Sequence, residues 1–233
     1  MKHVEFEVQR RNSGMAFYDL YVFDWDGTVM DTTATIVRGI AQANRAMGLP
    51  LVEDRVIRTS IGLGIAETMA IVAPTLPRER WGEFQRHYRD WYLQREEVVQ
   101  LFEGMEKLLR GLRGAGRHLA VATGKSRAGL DRVLQQTGLR DVFDGGTKTA
   151  DECFSKPHPQ MLEELMAENG VDPDRVVMIG DTNHDLQMAA NAGCRGIGVT
   201  YGASSRDVLE RIPHEAVVDS VQELARVLEF QTK

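Results

Sequence analysis

The sequence predicts an α/β fold: a parallel sheet with helices on both faces, interrupted by an all-helical insertion. Three observations carry that prediction. Short apolar, β-favouring runs alternate with stretches of helical spacing, the pattern of a parallel sheet. The stretch from Pro50 to Gln100 breaks the alternation, being helical in pattern and lacking strand signals. Clusters rich in acids and glycine follow the strand runs, where open parallel sheets bind ligands.

Taken in order, residues 1–18 are polar and irregular and read as a tail, with Met15 as an alternative start. Leu20-Tyr21-Val22-Phe23 is an apolar run that stops at Asp24-Trp25-Asp26-Gly27, as a buried strand ending in a loop would. Asp31 and Thr32 can cap a helix carrying Ile36, Ile40, Ala43 and Met47, which Gly48 and Pro50 close. In the insertion, Phe84, Tyr88, Trp91 and Tyr92 share one helical face, and Pro74 and Pro77 act as breakers. His118 to Ala122 reads as strand, and Leu130, Val133, Leu134 and Thr137 mark a helix. Val142 and Phe143 suggest the edge of a short strand, and Met161, Leu162, Leu165 and Met166 the next helix. Strands at Arg175 to Ile179, Gly196 to Val199 and Ala216 to Val218 follow, then a helix through Val221, Leu224, Val227 and Leu228. The expected division is an α/β core over 19–33 and 101–233, with a helical cap over 34–100.

Composition narrows the function. The 233 residues are 42% hydrophobic and 27% charged, within the globular range and long enough for a sizeable core. A formal charge of −6 argues against nucleic acid as a partner, since phosphates call for a basic stripe. No apolar run approaches the roughly 20 residues that span a bilayer, so no membrane is expected. The opening MKHVEFEVQRR lacks the apolar stretch of a secretory signal. The two cysteines, Cys153 and Cys194, form no C-x-x-C pair, so reduced thiols in a cytoplasm are expected.

Four clusters carry the chemistry. In Asp24-Trp25-Asp26-Gly27-Thr28, two carboxylates one residue apart can enter one crevice, and their repulsion calls for a cation or a shared proton. A solvated turn would use the same residue types, but two acids, Gly and Thr at a strand end are a demanding combination. Thr123-Gly124-Lys125-Ser126 offers a hydroxyl and a glycine amide for an anion, although alone it is only a helix cap. It is no nucleotide P-loop, because Leu119 stands where the first glycine is required. In Ser155-Lys156-Pro157-His158-Pro159, proline biases Lys156 toward extended backbone, making it a fixed point charge for a phosphate. An exposed lysine before a helix explains it equally well, and His158 reads as structural. Asp181 and Asp185 open the fourth cluster, where helix-dipole effects account for Asp185 more readily than for Asp181. Gly62-Leu63-Gly64 and Gly196-Ile197-Gly198 fail as dinucleotide fingerprints, since Glu67 and Tyr201 replace the third glycine.

Together these acids, one lysine and one hydroxyl make an anion-rich pocket that a hard cation such as Mg²⁺ would resolve, with substrate phosphate as a co-ligand. An Asp carboxylate can attack phosphorus, and a second acid can protonate the leaving oxygen and then activate water.

In order, the four clusters resemble the motifs of the haloacid dehalogenase superfamily, over roughly Tyr18 to the C-terminus. The resemblance implies a Rossmann-like sheet of order 3-2-1-4-5. It also implies Asp24 as nucleophile, Asp26 as general acid/base, and Thr123, Gly124 and Lys156 as phosphoryl-binding residues. Asp24, the Asp26 carbonyl and Asp181 would hold Mg²⁺, supported by Asp185. The insertion resembles a small mobile cap whose loop with Gly62 and Gly64 faces the site. Phe102-Glu103-Gly104, the glycine-rich stretch near Gly114 and Lys156-Pro157-His158-Pro159 are most similar to phosphoglycolate phosphatases. The expectation is therefore an Mg²⁺-dependent phosphatase for a small phosphorylated metabolite, working through an aspartyl-phosphate. A phosphosugar mutase of β-phosphoglucomutase type is the alternative; a receiver-like or non-catalytic phosphate-binding protein is another of a different class. A dehalogenase would have no use for Asp26.

Overall fold

The computed structural model describes residues 18–94 and 100–228. The expected tail lies outside the described residues except for Tyr18, as do residues 95–99 of the insertion. Six parallel strands form one sheet: β1 Leu20–Phe23, β2 His118–Thr123, β3 Thr147–Thr149, β4 Val176–Gly180, β5 Arg195–Val199 and β6 Ala216–Val218. Their order is β3-β2-β1-β4-β5-β6, so β1 lies between β2 and β4. That is the expected order with β6 added at the far edge.

The strand sequence explains the layers. Side chains alternate across a strand, and in β1 Tyr21 and Phe23 enter one apolar cluster while Leu20 and Val22 enter the other. Helices α5 Met105–Gly114, α6 Arg127–Thr137 and α10 Val221–Val227 cover the first face. Helices α7 Gln160–Asn169 and α8 Asn183–Asn191 cover the second, through Met161, Leu162, Leu165, Met188 and Ala189. Burial on both faces is why the central strands read as continuous apolar runs. A short α9, Arg206–Leu209, precedes β6.

Between β1 and α5 the chain forms α1 Thr33–Ala46, α2 Asp54–Arg58, α3 Ile65–Val72 and α4 Trp81–Leu93. They share a third apolar cluster that includes Ile36, Ile40, Ile57, Met69, Phe84 and Tyr92. Pro74 and Pro77 fall between α3 and α4, as breakers should. Thr32 does occupy the cap position of α1, but its hydroxyl bonds no helix amide. It donates to Asp26 Oδ1 at 2.7 Å instead.

One expected strand is misplaced. Val142 and Phe143 lie in a buried turn, and the strand is Thr147-Lys148-Thr149. Phe143 is apolar because it packs on Trp25, ring centroids 5.9 Å apart, and on Phe23 at 6.5 Å. Sheet pairing at that edge is made by backbone, which a polar sequence permits.

Candidate active site

The register sets the site. Phe23 lies level with Val121 of β2 and Ile179 of β4, so Asp24, Thr123 and Asp181 emerge at the same end of the sheet. The Asp24 N–H donates to the Ile179 carbonyl at 2.9 Å, extending the β1–β4 pairing by one step. The chain then turns: Val29 and Met30 both donate to the Trp25 carbonyl at 3.0 Å, and Gly27 adopts φ 86°. Between the two acids, Trp25 points the other way, fully buried in the core with its Nε1–H 3.2 Å from Met30 Sδ. The period-two alternation continues through the turn, leaving Asp24 and Asp26 both at the site.

Lys156 is 1% exposed and donates to Asp24 Oδ1 and to Asp185 Oδ1, each at 2.7 Å. Asp185 also accepts from the Thr182 hydroxyl at 2.7 Å and the Thr182 N–H at 3.0 Å, closing a capping box at the start of α8. Asp181 accepts from the Ala203 N–H at 2.6 Å and the Thr28 hydroxyl at 3.2 Å. Its carboxylate occupies the space that a Cβ on Gly27 or on Gly202 would need. Glycine at 27 thus serves both the turn and the approach of Asp181.

The electrostatics are unbalanced. Asp24, Asp181 and Asp185 bring carboxylate oxygens within 4.8 Å of one another, and Lys156 is the ammonium shared by two of them. Burial pushes the Asp24 carboxyl up to about 7, with Lys156 opposing and Asp185 adding to the rise. Burial, then repulsion from Asp24 and Asp185, pushes Asp181 well above the usual carboxylate range. Burial works against the charge on Lys156, but Asp185 and Asp24 outweigh it and hold the ammonium protonated. Asp24 Oδ2 is buried with no hydrogen-bond partner among the described residues. An orphaned oxygen among mutually repelling carboxylates fits a hard divalent cation.

Asp26 stands apart from that set. Lys125 Nζ donates to both of its oxygens at 2.8 Å, and Thr32 bonds one of them. The Asp26 carboxylate lines the cavity under the helical segment, and among the described residues the cluster of possible metal ligands is Asp24, Asp181 and Asp185. Thr123 Oγ1 accepts the Lys125 N–H at 3.2 Å beside it. Gly124 lies under the loop after α2: a Cβ there would come 2.5 Å from the Gly62 carbonyl oxygen and 2.8 Å from that of Leu63. The Gly64 N–H donates to Ser155 Oγ at 2.6 Å, next to Lys156. All the expected residues converge on one end of the sheet, Gly62 and Gly64 included. His158 accepts the Gln160 N–H at 3.2 Å and packs on Phe154, a local structural role.

Lys125 is the residue that sequence reasoning passed over. In the sequence it belongs only to a failed P-loop match, although its place two residues after Thr123 puts it at the same strand end. Thr28, Thr32 and Thr182 were also missed as partners of the acids. Their type and spacing suit turns and caps, so only the fold reveals which carboxylates they meet.

Comparison with known proteins gives a consistent result. The family model described as haloacid dehalogenase-like hydrolase matches residues 21–199. A Dickeya dadantii protein named "Probable phosphatase IndB" is 36% identical over 211 residues, covering 88% of this chain and 91% of that one. The phosphoglycolate phosphatase of Vibrio vulnificus is 30% identical over 221 residues, covering 90% and 95%. Among solved structures, a hydrolase from Pseudomonas syringae superposes with a TM-score of 0.82 at 20% identity, covering 91% of this chain and 98% of that one. At that identity the likeness speaks to fold alone.

Proposed function

The chain belongs to the haloacid dehalogenase-like hydrolases, and from that premise we propose that it is an Mg²⁺-dependent phosphatase of small phosphorylated metabolites. The reading rests most on how the two oxygens of Asp24 are treated. Lys156 fixes Oδ1, while the buried Oδ2 has no partner among the described residues. A carboxylate held on one side and open on the other is oriented for attack.

Asp24 forms a bond to phosphorus as the ester P–O bond breaks, giving an aspartyl-phosphate. Asp26 supplies the proton that the leaving oxygen takes up. In the second half, Asp26 accepts a proton from water as its oxygen attacks phosphorus, releasing phosphate and restoring Asp24. Lys156, the Thr123 hydroxyl and the Gly124 amide hold the phosphoryl oxygens. Asp185 positions Lys156 through its 2.7 Å bond. A divalent cation held by Asp24, Asp181 and the Asp26 carbonyl, with Asp185 in support, would supply positive charge as phosphoryl charge develops. Residues 34–100 act as a cap that keeps water from the reacting groups. The relatives named phosphoglycolate phosphatase support an organic phosphate of metabolite size.

Asp24→Asn tests this directly: release of inorganic phosphate from p-nitrophenyl phosphate stops, with the circular dichroism spectrum unchanged. Retained turnover removes Asp24 as nucleophile. EDTA stops the wild-type reaction and Mg²⁺ restores it, and metal-independent turnover counts against the cation. Asp26→Ala slows esters of poor leaving groups more than good ones; equal losses rule out proton donation by Asp26.

A further inference from the structure

A cavity of about 360 Å³ lies between the helical segment and the sheet end, a volume typical of sites for small organic ligands. Asp26, Thr123 and Gly124 form part of its lining, the part nearest the proposed phosphoryl position. Ile36, Ile40, Ile61 and Phe84 give it an apolar wall. A two-carbon hydroxy acid would leave most of that volume, and the wall, to water.

The charges lining the cavity are not equivalent. Lys125 is committed to Asp26 through both carboxylate oxygens. Asp151 accepts the Arg127 N–H at 2.7 Å. Arg89 and Arg132 have no carboxylate partner among the described residues, and of the two it is Arg132 whose guanidinium carbon sits 5.9 Å from the Tyr92 ring centroid. Tyr92 itself is 6% exposed, and its hydroxyl is buried without a hydrogen-bond partner among the described residues. Both residues line the cavity. A guanidinium offers a planar fork of donors suited to carboxylate or phosphate. An unpaired guanidinium beside an apolar wall describes a ligand that is apolar along its body and anionic at one end.

We propose that Arg132, held over the Tyr92 ring, forms an anion-binding subsite for the leaving group. The preferred substrates are then phosphomonoesters whose alcohol combines a ring-sized apolar body with a second anionic group. This rests on the phosphatase reading and adds a substrate class to it.

Steady-state kinetics with benzyl phosphate, 4-carboxybenzyl phosphate, 4-phosphonobenzyl phosphate and 2-phosphoglycolate tests the subsite. Wild type turns over at least one charged benzyl ester with kcat/KM tenfold or more above both benzyl phosphate and phosphoglycolate. Which charged ester wins tells a carboxylate from a phosphate-like anion. Arg132→Met lowers the charged-to-neutral ratio at least tenfold, chiefly through KM, and Arg132→Lys keeps most of it, guarding against loss of fold. Arg140→Met, which removes a guanidinium 3.3 Å from Asp131 outside the cavity, leaves the ratio unchanged. A wild type indifferent to the second anion, or an Arg132→Met variant with an unaltered ratio, overturns the subsite while the phosphatase stands. Hydrolysis of none of the esters in the presence of Mg²⁺ overturns the phosphatase reading, and the subsite falls with it.

Discussion

At the sheet end, polar groups hold one another through side chains: Lys156 joins Asp24 to Asp185, Thr28 meets Asp181, and Thr32 meets Asp26. The helical segment is organised differently. Its interior is an apolar cluster around Ile57, Met69 and Phe84, and it meets the sheet end through the Tyr92 ring, over which Lys125 and Arg132 lie, and through backbone groups of the loop after α2. The carbonyls of Gly62 and Leu63 lie over Gly124, the Gly64 N–H reaches Ser155, and the Thr59 carbonyl accepts from His184 Nε2–H at 3.0 Å in the tautomer that carries that proton. Side-chain networks fix which residues must stand at the floor. Backbone groups of the loop after α2 seat the lobe whatever the side chains of that loop are.

The largest effect expected from disturbing that seating comes from Gly124→Ala. The added methyl meets two carbonyl oxygens of the lobe rather than a flexible side chain end, so the lobe must lift. Overpacking of this kind costs about 1–3 kcal/mol, and a loss near the upper end corresponds to about a hundredfold in kcat/KM. Gly48→Ala has positive φ strain but open space, so it lowers the thermal midpoint without touching activity. Equal losses of activity in the two variants would erase the distinction between docking and ordinary glycine strain.

A second effect belongs to the floor alone. The folded state raises the Asp24 pKa to about 7 from an ordinary value of 3.8, so it binds a proton that the unfolded chain has released. Metal-free stability therefore falls as pH rises from about 4 to 7. Thermal midpoints in EDTA trace that decline, and Asp24→Asn makes it shallower. Saturating Mg²⁺ raises the wild-type midpoint most at the high-pH end. A wild-type curve that climbs over this interval would show that the floor does not suffer from uncompensated negative charge.

The smallest effect is at the rim. Ser155→Ala removes one hydrogen bond from the lobe, worth about 1 kcal/mol. KM rises a few-fold with kcat nearly constant, because the floor keeps its geometry. A collapse in kcat would mean that Ser155 acts on Lys156 rather than on the lobe.

These two regions also differ in how far the sequence disclosed them. Strands buried on both faces announce themselves as apolar runs, which is why β1, β2 and β4 lie where they were expected. The edge strand β3 did not, since Thr147-Lys148-Thr149 pairs by backbone while nearby Val142 and Phe143 are apolar for packing reasons. Among the site residues, Asp24, Asp26, Lys156 and Asp181 were visible because acids and lysine at strand ends demand an explanation. Lys125 reaches Asp26 across 99 positions and Thr28 reaches Asp181 across 153, pairings that no local pattern encodes. In the sequence Tyr92 is part of an aromatic helical face and nothing marks Arg132; only the fold sets them side by side.

Trp25 carries a wider consequence. It is wedged among Phe143, Met30 and the rest of the interior, and its neighbours on either side are the two acids that face the ligand. The spacing between those acids is thereby inherited from the tightness of the hydrophobic interior beneath them. Trimming Phe143 to a smaller side chain would alter no group that meets the ligand, yet it would loosen the peg on which both acids hang, and turnover would register a defect made on the far side of the sheet.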